Sequence, residues 1–151
     1  MMRRAIALGY QAGLEQLSGG PFGAVVVYQG RVVGEGSNRV LADQDPTAHA
    51  EVVAIPNACR ALGSRDLRGA VLYSSSQCCP LCYSAAFWAR IDRIWYGARW
   101  QDYSDLFDDQ CLSDSFRQPP DQRALPMQEL LREEALTLWD DFRRLPDGAR
   151  Y

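Results

Sequence analysis

The sequence predicts an α/β fold, a sheet with helices packed on its faces. Three observations carry this. Two strand-like runs near the start are joined by a tight turn, as in a hairpin. After them, helical and strand-like segments alternate. The first strand is too continuously apolar to face water on either side, which makes it a central strand.

Residues 4–17 read as a helix, with Ile6, Leu8, Leu14 and Leu17 at roughly helical spacing and Ser18-Gly19-Gly20-Pro21 as its stop. "FGAVVVY" (22–28) is the apolar strand, Gln29-Gly30 the turn, and "RVVGEGSN" (31–38) the returning partner. The turn-rich "LADQDPT" (41–47) leads into a helix over 48–63, with Pro56 as a kink and Gly63 as its C-terminal stop. A third strand covers 69–75, a third helix 80–90 and a fourth strand 92–98. Beyond residue 98 the pattern weakens into aspartate-rich loops (102–121), then a helix over 133–144 and a polar tail. No internal repeat is visible, and the 151 residues suit one domain.

The composition excludes several kinds of chemistry. All 16 basic residues are arginines, so lysine-dependent phosphate loops, Schiff bases and Ser-Lys pairs are ruled out. Any histidine-dependent step must run through His49, the single histidine. A net charge of −3 argues against a partner gripped through nucleic-acid phosphates. No apolar run approaches the roughly 20 residues of a membrane span. The basic start "MMRRAIALGYQAGLEQL" lacks the unbroken apolar core of an export signal, so the expected address is cytoplasmic, where thiols stay reduced.

Two helix starts hold nearly all the reactive side chains. One gives "TAHAE", with His49 and Glu51; the other gives "CCPLC". Pro80 suits the first helical position after Cys79, which puts Cys79 and Cys82 three apart on one face near the positive end of the helix dipole. Alone, such a pair could be a thioredoxin-like dithiol, and a lone histidine is more often structural. Together they offer one nitrogen and two sulfurs, and three protein ligands with an open fourth position is how a catalytic zinc is built. A second register, Cys78 with Cys82 at i, i+4, remains open, although it leaves Pro80 inside the ligand turn.

Glu51 lies two residues past His49, about 200° around an ideal helix, so both can face one centre only if the helix begins beside them. A carboxylate there can take a proton from a water and deliver it to a ring nitrogen and a leaving amine. His49-Ala50-Glu51 followed by Cys79-Pro80-Leu81-Cys82 is similar to the H-x-E…P-C-x-x-C pattern of zinc-dependent nucleobase deaminases, with Cys78 in the proline position. Cys59 and Cys111 stand apart and read as buried, inert thiols, and Trp95 and Trp100 as packing aromatics.

With "GGPFGAVVV", "GEGSNRV", "DPTAHAEVVAI", "FWAR" and "FDD" in order, the chain resembles the cytidine and deoxycytidylate deaminase superfamily, and within it the bacterial guanine deaminases, over nearly its whole length. The resemblance implies a cytidine-deaminase-like three-layer α/β/α sandwich, a mixed sheet with helices on both faces. It implies one Zn2+ per chain on His49, Cys79 and Cys82, with Glu51 as proton shuttle. It also implies a substrate-binding set of Asn38, Phe22, Ala50, Trp88, Asp109 and Tyr151. Asn38 would hydrogen-bond the base, Phe22 would help sandwich it, and Asp109 would read the purine edge. A homodimer is implied, with the C-terminal tail (about 133–151) exchanged so that Tyr151 closes the partner's site. Three departures sit beside the ligands: Ser76, Gln77 and Cys78 replace a cysteine, a glutamate and a proline. The 98–110 segment is also shorter by one residue and bulkier, with Trp100 and Tyr103.

The reaction implied is hydrolytic deamination of a free aminopurine, guanine to xanthine with release of ammonia. The departures keep another amino-heterocycle or a nucleoside in view as substrate. Deamination of adenosine in tRNA, and a zinc-stabilised module without catalysis, are the remaining alternatives.

Overall fold

A computed structural model describes residues 1–107 and 110–146. Four strands form one sheet in the order β2-β1-β3-β4. They are β1 (Gly23–Tyr28), β2 (Arg31–Ser37), β3 (Ala70–Ser76) and β4 (Arg93–Ala98). β1 runs antiparallel to both β2 and β3, while β3 and β4 are parallel, so the sheet is mixed. The hairpin turns at Gln29 and Gly30, both at positive φ (49° and 77°), the pairing whose twist matches that of its strands.

β1 is central, as its run of valines requires. Alternate side chains point to opposite faces, and here each face is covered. Ala24 and Val26 join the larger core with Ala54, Leu67, Leu72 and Ala86, while Val25 and Val27 pack with Ala5 on the other side. The first face carries α2 (Ala50–Leu62) and α3 (Pro80–Trp88); the second carries α1 (Met2–Tyr10). The three layers are those the resemblance implies.

Local chemistry explains the ends of these helices. Gly63 closes α2 in the left-handed conformation (φ 61°), and Pro80 opens α3 at its first helical position. Pro56 sits inside α2. α2 lies so close to β2 that a Cβ on Gly36 would collide with the carbonyl oxygen of Ala50, in the first turn of the helix.

Three expectations need correction. The first helix starts at Met2, and after Tyr10 continues as a π-turn over Gln11–Glu15. The region read as loops contains α4 (Gln110–Phe116), seven residues too short to show a helical period. Cys111, at its start, is exposed rather than buried, whereas Cys59 is half-buried.

The chain divides into two compact units, residues 1–113 and 114–151. In the second, α5 (Arg132–Arg144) has Glu133 and Glu134 in its first turn and Arg143 and Arg144 in its last, each complementing the helix dipole. Ion pairs at i, i+3 join Asp140 to Arg143 and Asp141 to Arg144. Leu138 and Trp139 on this helix are exposed.

Candidate active site

The sequence demands that α2 begin beside His49, and it does. His49 is the N-cap, in extended conformation (φ −68°, ψ 153°), and Glu51 is the second helical residue. The extended cap turns the histidine side chain away from the helical progression, so His49 and Glu51 come to one centre. Cys79 plays the same part for α3, as an extended N-cap (φ −68°, ψ 168°), with Cys82 one turn further. Two helix N-termini therefore converge, and their dipoles favour negative charge between them.

His49 Nδ1 lies 3.6 Å from Cys79 Sγ and 3.4 Å from Cys82 Sγ, and the two sulfurs are 3.6 Å apart. Zinc–sulfur bonds near 2.3 Å and zinc–nitrogen bonds near 2.0 Å in a tetrahedron separate two sulfurs by about 3.8 Å and sulfur from nitrogen by about 3.5 Å. The triangle fits that ion to within a few tenths of an ångström. The register is thus Cys79 with Cys82, and the alternative pairing through Cys78 is excluded. Cys78 turns instead to Glu51. Among the described residues this is the cluster able to hold a metal, and it offers three ligands, not four.

The thiols are already unequal. The side-chain hydrogen bond with Cys82, with help from His49, holds the Cys79 thiol down at about 4. Cys82 is pushed up, first by its hydrogen bond with Cys79 and then by burial. Cys78 is also pushed up, by burial and by the nearby Glu51 charge, and stays a thiol.

Glu51 is 5% exposed and forms part of the floor of a cavity of about 590 Å³, within the usual range for a small-molecule site. His49, Cys79 and Cys82 share that floor. Phe22 stands in the wall, edge-on to Tyr103 (centroids 5.6 Å) and Phe107 (5.1 Å). Asn38 is buried at the rim, where its Oδ1 accepts the Val40 N–H at 3.2 Å, leaving its amide N–H groups for a ligand. A Cβ on the neighbouring Gly19 would collide with Asn38 Oδ1, so this side chain depends on a glycine beside it.

Of the expected substrate contacts, Asn38 and Phe22 reach the cavity and two do not. Ala50 is wholly buried between His49 and Glu51, against β2, and does not line the cavity. Trp88 ends α3 62% exposed, edge-on to Phe87, and away from the lining. Asp109 and Tyr151 lie outside the described residues. Of the departures, Cys78 meets Glu51, while Ser76 is buried and does not line the cavity. Gln77 lines the cavity; its side-chain Oε1 accepts the Trp100 N–H at 3.3 Å, and its carbonyl accepts the Tyr103 hydroxyl at 3.2 Å. Sequence reasoning missed Ser74, whose hydroxyl donates to Glu51 Oε1 at 2.7 Å. It also missed Leu41, Pro46 and Leu106 in the wall; only the bulk of the 98–110 segment hinted at such a surface.

A mixed sheet that aims two helix N-termini at a three-ligand zinc centre, with a buried carboxylate beside it, defines a zinc-dependent hydrolase. The sequence model of the cytidine and deoxycytidylate deaminase zinc-binding region matches residues 1–98. The guanine deaminase of Bacillus subtilis is 37% identical, over 99% of this chain and 96% of its own length. The X-ray structure of that species' guanine deaminase superposes with a TM-score of 0.94 at 36% identity, covering 99% of this chain and 96% of the other. A tRNA-specific adenosine deaminase of Agrobacterium fabrum is 47% identical over 79 residues, 52% of each chain. This chain belongs to the cytidine and deoxycytidylate deaminase family.

Proposed function

We propose that the chain hydrolyses the exocyclic amine of a free aminopurine, converting guanine and water to xanthine and ammonia. The observation that carries this is the cavity, which joins the ligand triangle and Glu51 at its floor to an aromatic wall and a buried amide. The likeness to a guanine deaminase over nearly the full length of both chains supports the same reaction.

His49, Cys79 and Cys82 would hold the zinc, which when bound supplies Lewis acidity at an open fourth position and so lowers the pKa of a water. Glu51 takes a proton from the attacking water and gives it to the ring nitrogen beside the reacting carbon. It then passes the water's second proton to the departing amine, so the C–N bond breaks as the C=O bond forms. Phe22 stacks against the flat ring, braced edge-on by Tyr103, and Asn38 donates to a ring acceptor. The aromatic wall keeps bulk water from the reacting carbon.

The same reading makes Asp109 the contact to the purine N–H edge and the chain a homodimer. Its C-terminal tail closes the partner's site with Tyr151, and the exposed Tyr83, Phe87 and Trp88 of α3 supply apolar surface for an interface. A cytoplasmic address accords with ligand thiols that must stay reduced. Among the described residues no helix is long and apolar enough to cross a membrane.

The test is ammonia release by zinc-loaded protein from a panel of free bases and nucleosides. Guanine is expected to turn over, and Glu51→Gln to lower kcat by about 10²–10⁴-fold. Release from no purine sinks the proposal, as does a Glu51→Gln variant with full activity. The 47% identity favours tRNA adenosine as a second substrate, but it spans only half of that relative. The net charge of −3 also opposes tRNA binding. Strongly salt-dependent tRNA binding would favour that reading instead.

A further inference from the structure

We propose that Ser74 and Cys78 form a two-donor clamp on one oxygen of Glu51, making both positioning residues for its proton transfer; this rests on the deaminase reading above. The Ser74 hydroxyl donates to Glu51 Oε1 at 2.7 Å, and the Cys78 thiol donates to the same oxygen at 3.4 Å. Ser74 is itself oriented. Its Oγ accepts the Ser76 N–H at 3.4 Å, which directs the hydroxyl hydrogen toward the carboxylate.

A carboxylate oxygen has two lone pairs, and these two donors occupy both on Oε1. The proton moved in the reaction then goes to Oε2, and the carboxylate cannot swing to present the other oxygen. Glu51 and Ser74 are both buried, so few other partners compete for these bonds. The clamp draws on three elements, because Glu51 is the second residue of α2, Ser74 lies two residues before the end of β3 and Cys78 precedes α3. Cys78 also gains a task of its own. The signature of zinc-dependent nucleobase deaminases has a proline at that position, and a proline side chain donates nothing. In this chain the substitution adds a second donor to the acid/base residue and leaves the ligand set intact.

The clamp should act on kcat and leave KM and metal binding alone. Ser74→Ala is expected to lower kcat by about 10²-fold, the scale of a misplaced catalytic group. Cys78→Ala should lower it by about two- to tenfold, the scale of one modest hydrogen bond, since a thiol is a weak donor. In both, KM should stay within about twofold and zinc at one per chain. Ser74→Thr, which keeps the hydroxyl, should restore kcat. Because either donor partly holds Oε1, the double variant should lose more than the product of the single losses.

A readout independent of turnover is the infrared S–H stretch of the zinc-loaded protein, in which the ligand cysteines, as thiolates, give no band. The Cys78 band, assigned by its loss in Cys78→Ala, should lie at lowered frequency and rise in Glu51→Ala. If the wild type releases no ammonia from any base, the deaminase reading fails, while the infrared band still decides whether Cys78 donates to Glu51. A Cys78 band unmoved by Glu51→Ala overturns the clamp. So does a double variant with unchanged kcat, or one whose defect lies in KM or zinc content.

Discussion

At the scale of single residues, the site rests on backbone conformation as much as on side-chain identity. His49 and Cys79 each stand at an extended N-cap, which gives a side chain a direction that no interior helical position offers. The adjacent cysteines diverge for the same reason: Cys79, at the cap, faces His49, and Cys78, one residue earlier, faces Glu51. In the wall, Phe22 is held by edge contacts to Tyr103 and Phe107. Stacking of a base on an aromatic ring is worth about 1–3 kcal/mol. Phe22→Ala should therefore raise KM for the purine by about five- to 150-fold with a smaller change in kcat, as steady-state kinetics will show. An unchanged KM would remove Phe22 from the substrate's path.

At the scale of elements, the junction of β2 and α2 matters most. Gly36 allows the Ala50 carbonyl to approach β2, and Ala50 lies between His49 and Glu51. Gly36→Val should overpack this junction and destabilise the fold by about 1–3 kcal/mol. It should also displace both site residues, so urea unfolding and zinc content fall together; stability lost with zinc retained would uncouple the two. The other face of the molecule offers a pH test. Arg4 makes a bidentate pair with Glu35, with N–O distances of 2.8 Å. Its hydrogen bonds are the main reason the Glu35 carboxyl sits below the usual carboxylate range. A carboxyl lowered by folding stabilises above its unfolded value, near ~4.3, and that stabilisation is lost as pH falls through the lower folded value. Glu35→Gln should lower Tm slightly at pH 7, since the pair is partly exposed. The difference should close as the pH drops below about 4, and a pH-independent difference in Tm would assign the effect to packing.

At the scale of the whole molecule, a zinc ion held by His49, Cys79 and Cys82 would tie the start of α2 to the start of α3, so zinc should act as a stabilising ligand of the fold. A ligand bound by the folded state alone adds stability by mass action. Chelation should therefore lower Tm and abolish ammonia release, and added zinc should restore both. Unchanged Tm after verified zinc loss would show that the sheet and its two cores hold the site open without it.

Much of this architecture was legible in the residues. The valine run of β1, the turn at Gln29 and Gly30, Pro80 opening α3 and Gly63 closing α2 are local signals, and a local signal survives reading one segment at a time. The identities of His49, Cys79, Cys82 and Glu51 were legible for the same reason, because each depends on spacing within a short motif. α4 escaped because its seven residues make barely two turns, and the single i, i+4 apolar pair of Leu112 and Phe116 is too short to show a period. What only the tertiary structure decided is pairing across distance. Ser74 meets Glu51 across 23 positions of chain and Cys78 meets it across 27, while Phe22 finds Tyr103 from a different segment altogether. Composition and period fix what a segment is and which groups it carries. The packing of β3, α2 and α3 against one another fixes which of those groups share an oxygen, a metal or a cavity wall.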